Sequence, residues 1–177
     1  MPLSTSLTNR LGIAHPILLA PMDAVADARL TAAVSAAGGL GASGVLTGTR
    51  FYATQEGAAA EAAKDRIRTA TGDETLRSIV FDISRRNVWP APFTGRCLRN
   101  AHADRGFGRE VELLRHQEEQ ATRYAAARND GDFDIAAVIA GESSGLVRDI
   151  PSAREVVERI VRDASALLAP ASSSTTH

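Results

Sequence analysis

Cysteine occurs once in this chain of 177 residues, at Cys97. An internal disulfide is therefore excluded, and the sequence fits a reducing compartment. Long apolar runs are missing as well: none approaches the ~20 residues of a membrane span. The N-terminus lacks a basic stretch followed by an apolar block, so the expectation is a cytoplasmic protein with no membrane partner. Neither charge sign prevails: 20 basic against 21 acidic side chains leave a net charge of −1 and a pI near 6.4. Nothing in that balance steers the chain towards nucleic acid. Histidine is scarce, at His15, His102, His116 and His177. No pair of these has metal-ligand spacing with a carboxylate or thiol, so no metal site is expected. No internal repeat or heptad array is visible.

What is present is a globular composition, 44% hydrophobic and 23% charged. The length suits one ordinary domain and is too short for two large ones. Pro16–Met22 is a short continuous apolar run whose length and prolines favour a buried strand. From Ala26 to Ala37 the residues Leu30, Ala33, Val34 and Ala37 recur at helical spacing. Gly38-Gly39 is a suitable stop, since glycine accepts the left-handed conformation at a helix C-terminus. Gly44–Phe51 reads as a second strand, followed by a helix with Thr54 as N-cap that runs to about Thr69.

The second half reads differently. Arg77–Ile83 is a short strand or an extended segment. Asn87–Gly108, with Pro90, Pro92, Gly95, Gly106 and Gly108, reads as loop, which leaves His102 solvated. Arg109–Arg128 reads as one helix with Val111, Leu114, Ala121, Tyr124 and Ala125 on one face. Arg115, Glu118, Glu119 and Arg123 are then a solvated surface. In the last helix Val156, Val157, Ile160, Val161, Ala164, Leu167 and Leu168 form a wide apolar stripe. Pro151 stands near its start, and Ser152 to Glu155 has capping-box spacing. Ala169–His177 is Ser/Thr-rich and reads as a disordered tail.

Two places have the residue types that chemistry needs. Ala20-Pro21-Met22, at the C-terminal end of the first strand, suits a flat ring system: proline removes a donor and stiffens the turn, and methionine offers a soft apolar surface. Gly48-Thr49 ends the second strand just before a helix. Free backbone N–H groups and a hydroxyl there can receive a phosphate, aided by the helix dipole. Each signal alone is weak, since Gly-Thr after a strand is commonly an ordinary turn. Cys97 has no histidine suggested near it and reads as a plain free thiol. Arg148-Asp149 suits either a pocket rim or, for Asp149, a helix start.

Taken together these pieces resemble one family, the FMN-dependent nitronate monooxygenases, also called 2-nitropropane dioxygenases. The resemblance lies in Leu7-Thr8-Asn9-Arg10-Leu11-Gly12-Ile13, in Pro16–Met22, and in Gly44–Phe51 with Ala53-Thr54-Gln55-Glu56. It continues in Trp89-Pro90-Ala91-Pro92, in Ala140-Gly141-Glu142 and in Gly145–Pro151. It covers nearly the whole chain, in two blocks meeting near Gly39–Ala42.

The resemblance implies an α/β fold, a (β/α)8 TIM barrel with FMN at the C-terminal ends of its strands. Such a barrel typically needs ~250 residues. This chain supplies strands that resemble the first and the eighth, plus C-terminal helices, and the expectation is an incomplete barrel lacking its centre. One domain is expected over residues 1–168, with an N-terminal βα unit to residue 41 and the remainder from 42, then the tail 169–177. Ala20, Pro21, Met22, Gly48 and Thr49 are the FMN-binding residues the resemblance implies.

The implied reaction is oxidation of small alkyl nitronates with O2, assisted by a histidine base. None of the four histidines matches the family's catalytic position, so no catalytic residue is assigned and impaired activity is expected. His15 precedes the first strand, at the end away from the flavin, and reads as structural. A non-catalytic remnant, or a helical interaction segment without flavin, is the alternative. A related flavin barrel of the enoyl-acyl carrier protein reductase type faces the same missing centre. A right-handed crossover through residues 26–37 would put the second strand where a barrel's second strand stands, and the family's placement would demand a left-handed one; either way the two strands form a parallel pair. Such a pair exposes both edges, so helix packing is expected to dominate stability.

Overall fold

In the computed structural model of the chain, which describes residues 5–19, 45–87, 89, 90 and 92–168, the N-terminal helix α1 spans Ser6–Leu11. Its ends follow from local chemistry. The Thr5 hydroxyl accepts from the Thr8 amide while the Thr8 hydroxyl accepts from the Thr5 amide, a reciprocal cap. Gly12, with φ of 66°, supplies the left-handed turn that ends the helix.

Strand β1 (Ile17–Leu19) pairs in parallel with β2 (Val45–Thr47), in the register Ile17 to Val45 and Leu19 to Thr47. The expected side-by-side parallel pair is thus present as an open two-stranded sheet. Ala20, Pro21 and Met22, the helix expected over 26–37, its stop at Gly38-Gly39, the meeting point near Gly39–Ala42 and the tail 169–177 all lie outside the described residues.

The second strand is shorter than its apolar run suggests. It ends at Thr47, because the Phe51 and Tyr52 amides both turn back to the Gly48 carbonyl at 2.9 Å and wind α2, Thr49–Tyr52. Thr54 is not the cap of the following helix. Its buried hydroxyl donates to the Phe51 carbonyl at 2.8 Å, closing the end of α2. Helix α3 starts only after Ala60 and spans Glu61–Thr69, with its end where expected.

The region Arg77–Ile83 divides between strand β3 (Thr75–Ser78) and helix α4 (Val80–Arg85). Asn87–Gly108 is not all loop: it contains β4 (Gly95–Leu98), antiparallel to β3, and α5 (Ala101–Gly106). Asn100 caps α5 by accepting from the Ala103 amide at 2.9 Å. The helix expected over 109–128 is two helices, α6 (Glu110–Arg115) and α7 (Gln117–Asp130), separated at His116. Val111 and Leu114 are exposed, and the buried positions of α7 are Tyr124 and Ala127. Helix α8, Ala153–Leu168, follows the predicted stripe, with Val156 and Val157 buried. Its capping box is formed: Ser152 and Glu155 each accept from the other's amide, at 3.2 and 2.9 Å.

The main core gathers Ile17, Phe51, Ile67, Val138, Val156 and Val157, joining both ends of the chain. A second cluster, Phe81, Cys97, Ala103 and Tyr124, lies behind the antiparallel pair. No helix among the described residues is long and apolar enough to cross a membrane.

Candidate functional site

Gly48 and Thr49 sit where β2 gives way to α2, with Gly48 as N-cap and Thr49 as the first helical residue. No side chain caps this helix; its Phe51 and Tyr52 amides turn back to the Gly48 carbonyl, so the N–H groups open to a ligand are those of Thr49 and Arg50. The Thr49 hydroxyl accepts from the Gly141 amide at 2.8 Å, which fixes the oxygen and leaves its own hydrogen to donate elsewhere. One residue earlier, the Thr47 hydroxyl is buried and has no hydrogen-bond partner among the described residues. Two hydroxyls and a helix start therefore lie at one strand end, with the Thr47 hydroxyl unmatched among the described residues.

The residues after this point hold it in place. Arg50 donates to the Asp149 carboxylate at 3.0 Å, to the Asp149 carbonyl at 2.7 Å and to the Ala53 carbonyl at 2.9 Å. Asp149 also pairs with Arg159 of α8. Hydrogen bonding from Arg159, with the charge of Arg50, holds the Asp149 carboxyl below its ordinary range, whereas burial pulls the Arg50 guanidinium down against the opposing pull of Asp149. The Gln55 amide donates to the Pro151 carbonyl at 3.0 Å, and Glu56 accepts from the Ala153 amide at 2.8 Å. Asp149 is thus a clasp between α2 and α8, not a helix start, which Ser152 provides. Arg148 reaches the Ala70 carbonyl at 3.4 Å.

His15 lies at the N-terminal side of β1, its carbonyl accepting from the Ile17 amide at 2.9 Å. The parallel register puts Leu19 beside Thr47, so His15 is at the strand end opposite Gly48. Its Nδ1 is buried without a partner among the described residues.

His102 is buried, not solvated. Phe81 and Tyr124 flank its ring at centroid distances of 5.7 and 6.5 Å, and Nε2 lies 2.9 Å from the Ser84 hydroxyl oxygen. That hydroxyl donates to the Val80 carbonyl at 3.2 Å, so the hydrogen between Ser84 and His102 belongs to Nε2 and Nδ1 is the bare nitrogen. Burial, reinforced by Arg105 and Arg123, lowers the His102 pKa to about 4. A serine whose proton points away from the histidine is not an activated nucleophile. Cys97 is buried, and burial pushes its thiol up to about 12, which fits the unreactive reading.

Asp82 gives no signal in the sequence and is the hub of the antiparallel region. It is buried and accepts from Arg85 at 2.8 Å, from the Trp89 indole at 3.0 Å and from the Gly95 amide at 3.4 Å. The Trp-Pro motif is thereby anchored structurally. A cavity of about 200 Å³ beside Tyr52, Tyr124, Phe133 and Ile139 opens elsewhere, and neither Gly48 nor Thr49 lines it. Among the described residues no group of His, Cys, Asp and Glu is placed to hold a metal ion.

A family model described as nitronate monooxygenase matches residues 40–163. Nitronate monooxygenase of Neurospora crassa is 31% identical over 144 residues, which is 79% of this chain and 36% of that protein. Nitronate monooxygenase npaC of Metarhizium robertsii is 31% identical over 133 residues, 73% of this chain and 37% of that protein. The chain thus spans little more than a third of the length of these curated relatives. Among solved structures, FabK from Thermotoga maritima superposes with a TM-score of 0.57 at 25% identity, covering 82% of this chain and 43% of that one. A nitroalkane oxidase from Streptomyces ansochromogenes shares the fold, with a TM-score of 0.53 at 22% identity over 90% of this chain and 43% of that one. Because the family model matches well over half of the sequence, the chain belongs to the nitronate monooxygenase family.

Proposed function

We propose that this chain is the flavin-phosphate-binding portion of a nitronate monooxygenase-like oxidoreductase, and that by itself it is impaired in nitronate oxidation. The observation that carries the reading is the unused donor capacity at one strand end. Thr47 has a buried hydroxyl without a partner among the described residues, Thr49 has a hydroxyl fixed by the Gly141 amide, and α2 has no side-chain cap. Such a set suits a phosphate, and the residues present fit the FMN that the family uses.

Gly48 and Thr49 would hold the phosphate, and Ala20, Pro21 and Met22 would meet the ring system. Bound FMN would supply the electron transfer between a small nitronate and O2. The chain's own contribution is positional. Arg50 and Glu56 fix α2 and the turn after it against Asp149 and the start of α8, so the phosphate donors stand at the strand end without reorganising. No base is assigned among the described residues: His15 is at the opposite strand end, and His102 lies behind the antiparallel pair, among Phe81, Ser84 and Tyr124. The strand pair β1–β2 is read as the first and eighth strands of a barrel, in a single domain over residues 1–168.

The alternative, a helical interaction segment that binds no flavin, draws on the exposed apolar side chains Phe107, Val111 and Leu114 along α5 and α6. Purified protein separates the two. A yellow preparation, or a rise in Tm on adding FMN, supports the flavin reading. Colourless protein with an unmoved Tm removes it. Flavin binding without nitronate-dependent O2 uptake is the expected pair of results.

A further inference from the structure

Arginine in this structure is mostly paired. Arg50, Arg66, Arg85, Arg96, Arg99 and Arg159 each meet a carboxylate. Arg105, Arg109 and Arg123 do not: none of their guanidinium groups has a hydrogen bond or ion pair among the described residues. All three line one cleft, with a volume of about 230 Å³, together with His102, Glu112 and His116.

The fold makes this convergence. Arg105 projects from α5, Arg109 stands at the start of α6, and Arg123 belongs to α7. The separation of α6 from α7 at His116 lets the two helices form opposite sides of the cleft with α5. Gly106 holds α5 close to its neighbours, since a Cβ there would come within 2.6 Å of Leu113 and 2.8 Å of Val80. His102 has its Nε2–H committed to Ser84, which leaves Nδ1 as an acceptor.

We propose that this cleft is a binding site for a small phosphate-bearing anion. Three guanidinium groups against the one carboxylate of Glu112 leave two positive charges in excess, which matches a phosphate group carrying about −1.5 to −2 at neutral pH. Guanidinium forks match phosphate oxygens in geometry, and the Nδ1 lone pair suits a hydroxyl on the phosphate or on its organic stem. The cleft is far too small for a macromolecular surface and suits a phosphomonoester or free phosphate. It shares no residue with the Gly48–Thr49 site, so it stands whether or not flavin binds there.

The test is a titration of the whole chain at constant ionic strength with inorganic phosphate, glycerol phosphate and succinate, followed through the ring nitrogens of His102 and His116 by NMR. Phosphate or glycerol phosphate should give saturable shifts of both rings, and tighter binding of glycerol phosphate would identify an esterified ligand over free phosphate. In R105Q/R123Q the affinity should fall about tenfold or more, and in R154Q, on the exposed face of α8, it should stay unchanged. These arginines are exposed, so the substitutions leave the core intact. No saturable shift up to about 10 mM, succinate binding as tightly as phosphate, or equal affinity in R105Q/R123Q would each overturn the proposal.

Discussion

The two strand pairs differ in more than direction. β1 and β2 meet in parallel over three residue pairs, and a long connection separates them in sequence. β3 and β4 meet antiparallel over four pairs, extended by a bridge from Cys97 to Ile139 and by the Leu98 amide donating to the Val138 carbonyl at 2.8 Å. Behind β3–β4 lies a hydrophobic cluster, and Asp82 closes its open end with three hydrogen bonds. At the end of β2, by contrast, the Thr47 hydroxyl is buried and unmatched among the described residues. The strand end read as binding thus carries an unmatched buried hydroxyl, although His15 Nδ1 and Arg50 Nε are also buried without a partner among the described residues. Unmatched buried polar groups cost stability, and each calls for an explanation, of which a bound ligand or ion is one.

The sharpest way to break the comparison is Asp82→Ala. It takes the carboxylate away from Arg85, Trp89 and Gly95 together, and loss of one side of a buried pair costs about 3–5 kcal/mol. Urea unfolding should show that loss; a cost below about 1 kcal/mol would mean that β3–β4 does not depend on this hub. Arg50→Ala acts at the joint between the two regions. It removes two hydrogen bonds from α2 to Asp149 in the segment before α8 and one to Ala53 at the end of α2, and a loss of about 1–3 kcal/mol is expected. The loss should be smaller than for Asp82→Ala because Asp149 is partly exposed and keeps Arg159.

Acidification gives the smallest effect. The His102 pKa is about 4 in the folded chain against an ordinary 6.5, so between these values the unfolded chain binds a proton that the folded chain refuses. Stability is therefore whole above 6.5, declines as pH falls through the window, and the loss levels off below about 4. The loss should be about 1 kcal/mol, since the cleft lets water reach one side of the ring. Unfolding midpoints from pH 7 to 4 should show it in the native chain and lack it in His102→Gln. An equal acid slope in the variant would place the titration elsewhere.

Legibility in the sequence followed the same division. The stripe and capping box of α8 were readable, because each is a local pattern of spacing; the exposure of Arg115, Glu118, Glu119 and Arg123 was readable from their charge, and the parallel pairing of β1 with β2 from the connection between them. β4 was not: four residues between a Pro/Gly-rich stretch and Asn100 show too little alternation to outweigh the turn signals around them. His102 read as solvated because its partners, Phe81, Ser84 and Tyr124, are distant in sequence. The separation at His116 has no proline or glycine to announce it, and Val111 and Leu114 kept helical spacing while remaining exposed. At the site, Gly48 and Thr49 were visible as residue types. The clasp through Arg50, Asp149 and Arg159 depends on a contact across ninety-nine positions, and no local reading reaches it.

The most direct measurement of the central claim compares FMN with riboflavin in equilibrium fluorescence titrations of the native chain and of Thr49→Val, both in the R105Q/R123Q background so that the arginine cleft does not contribute. The phosphate site at Gly48-Thr49 predicts that FMN binds at least tenfold more tightly than riboflavin, and that Thr49→Val removes most of the difference while leaving riboflavin affinity alone. Equal affinity for FMN and riboflavin, or an FMN preference that survives Thr49→Val unchanged, would contradict it.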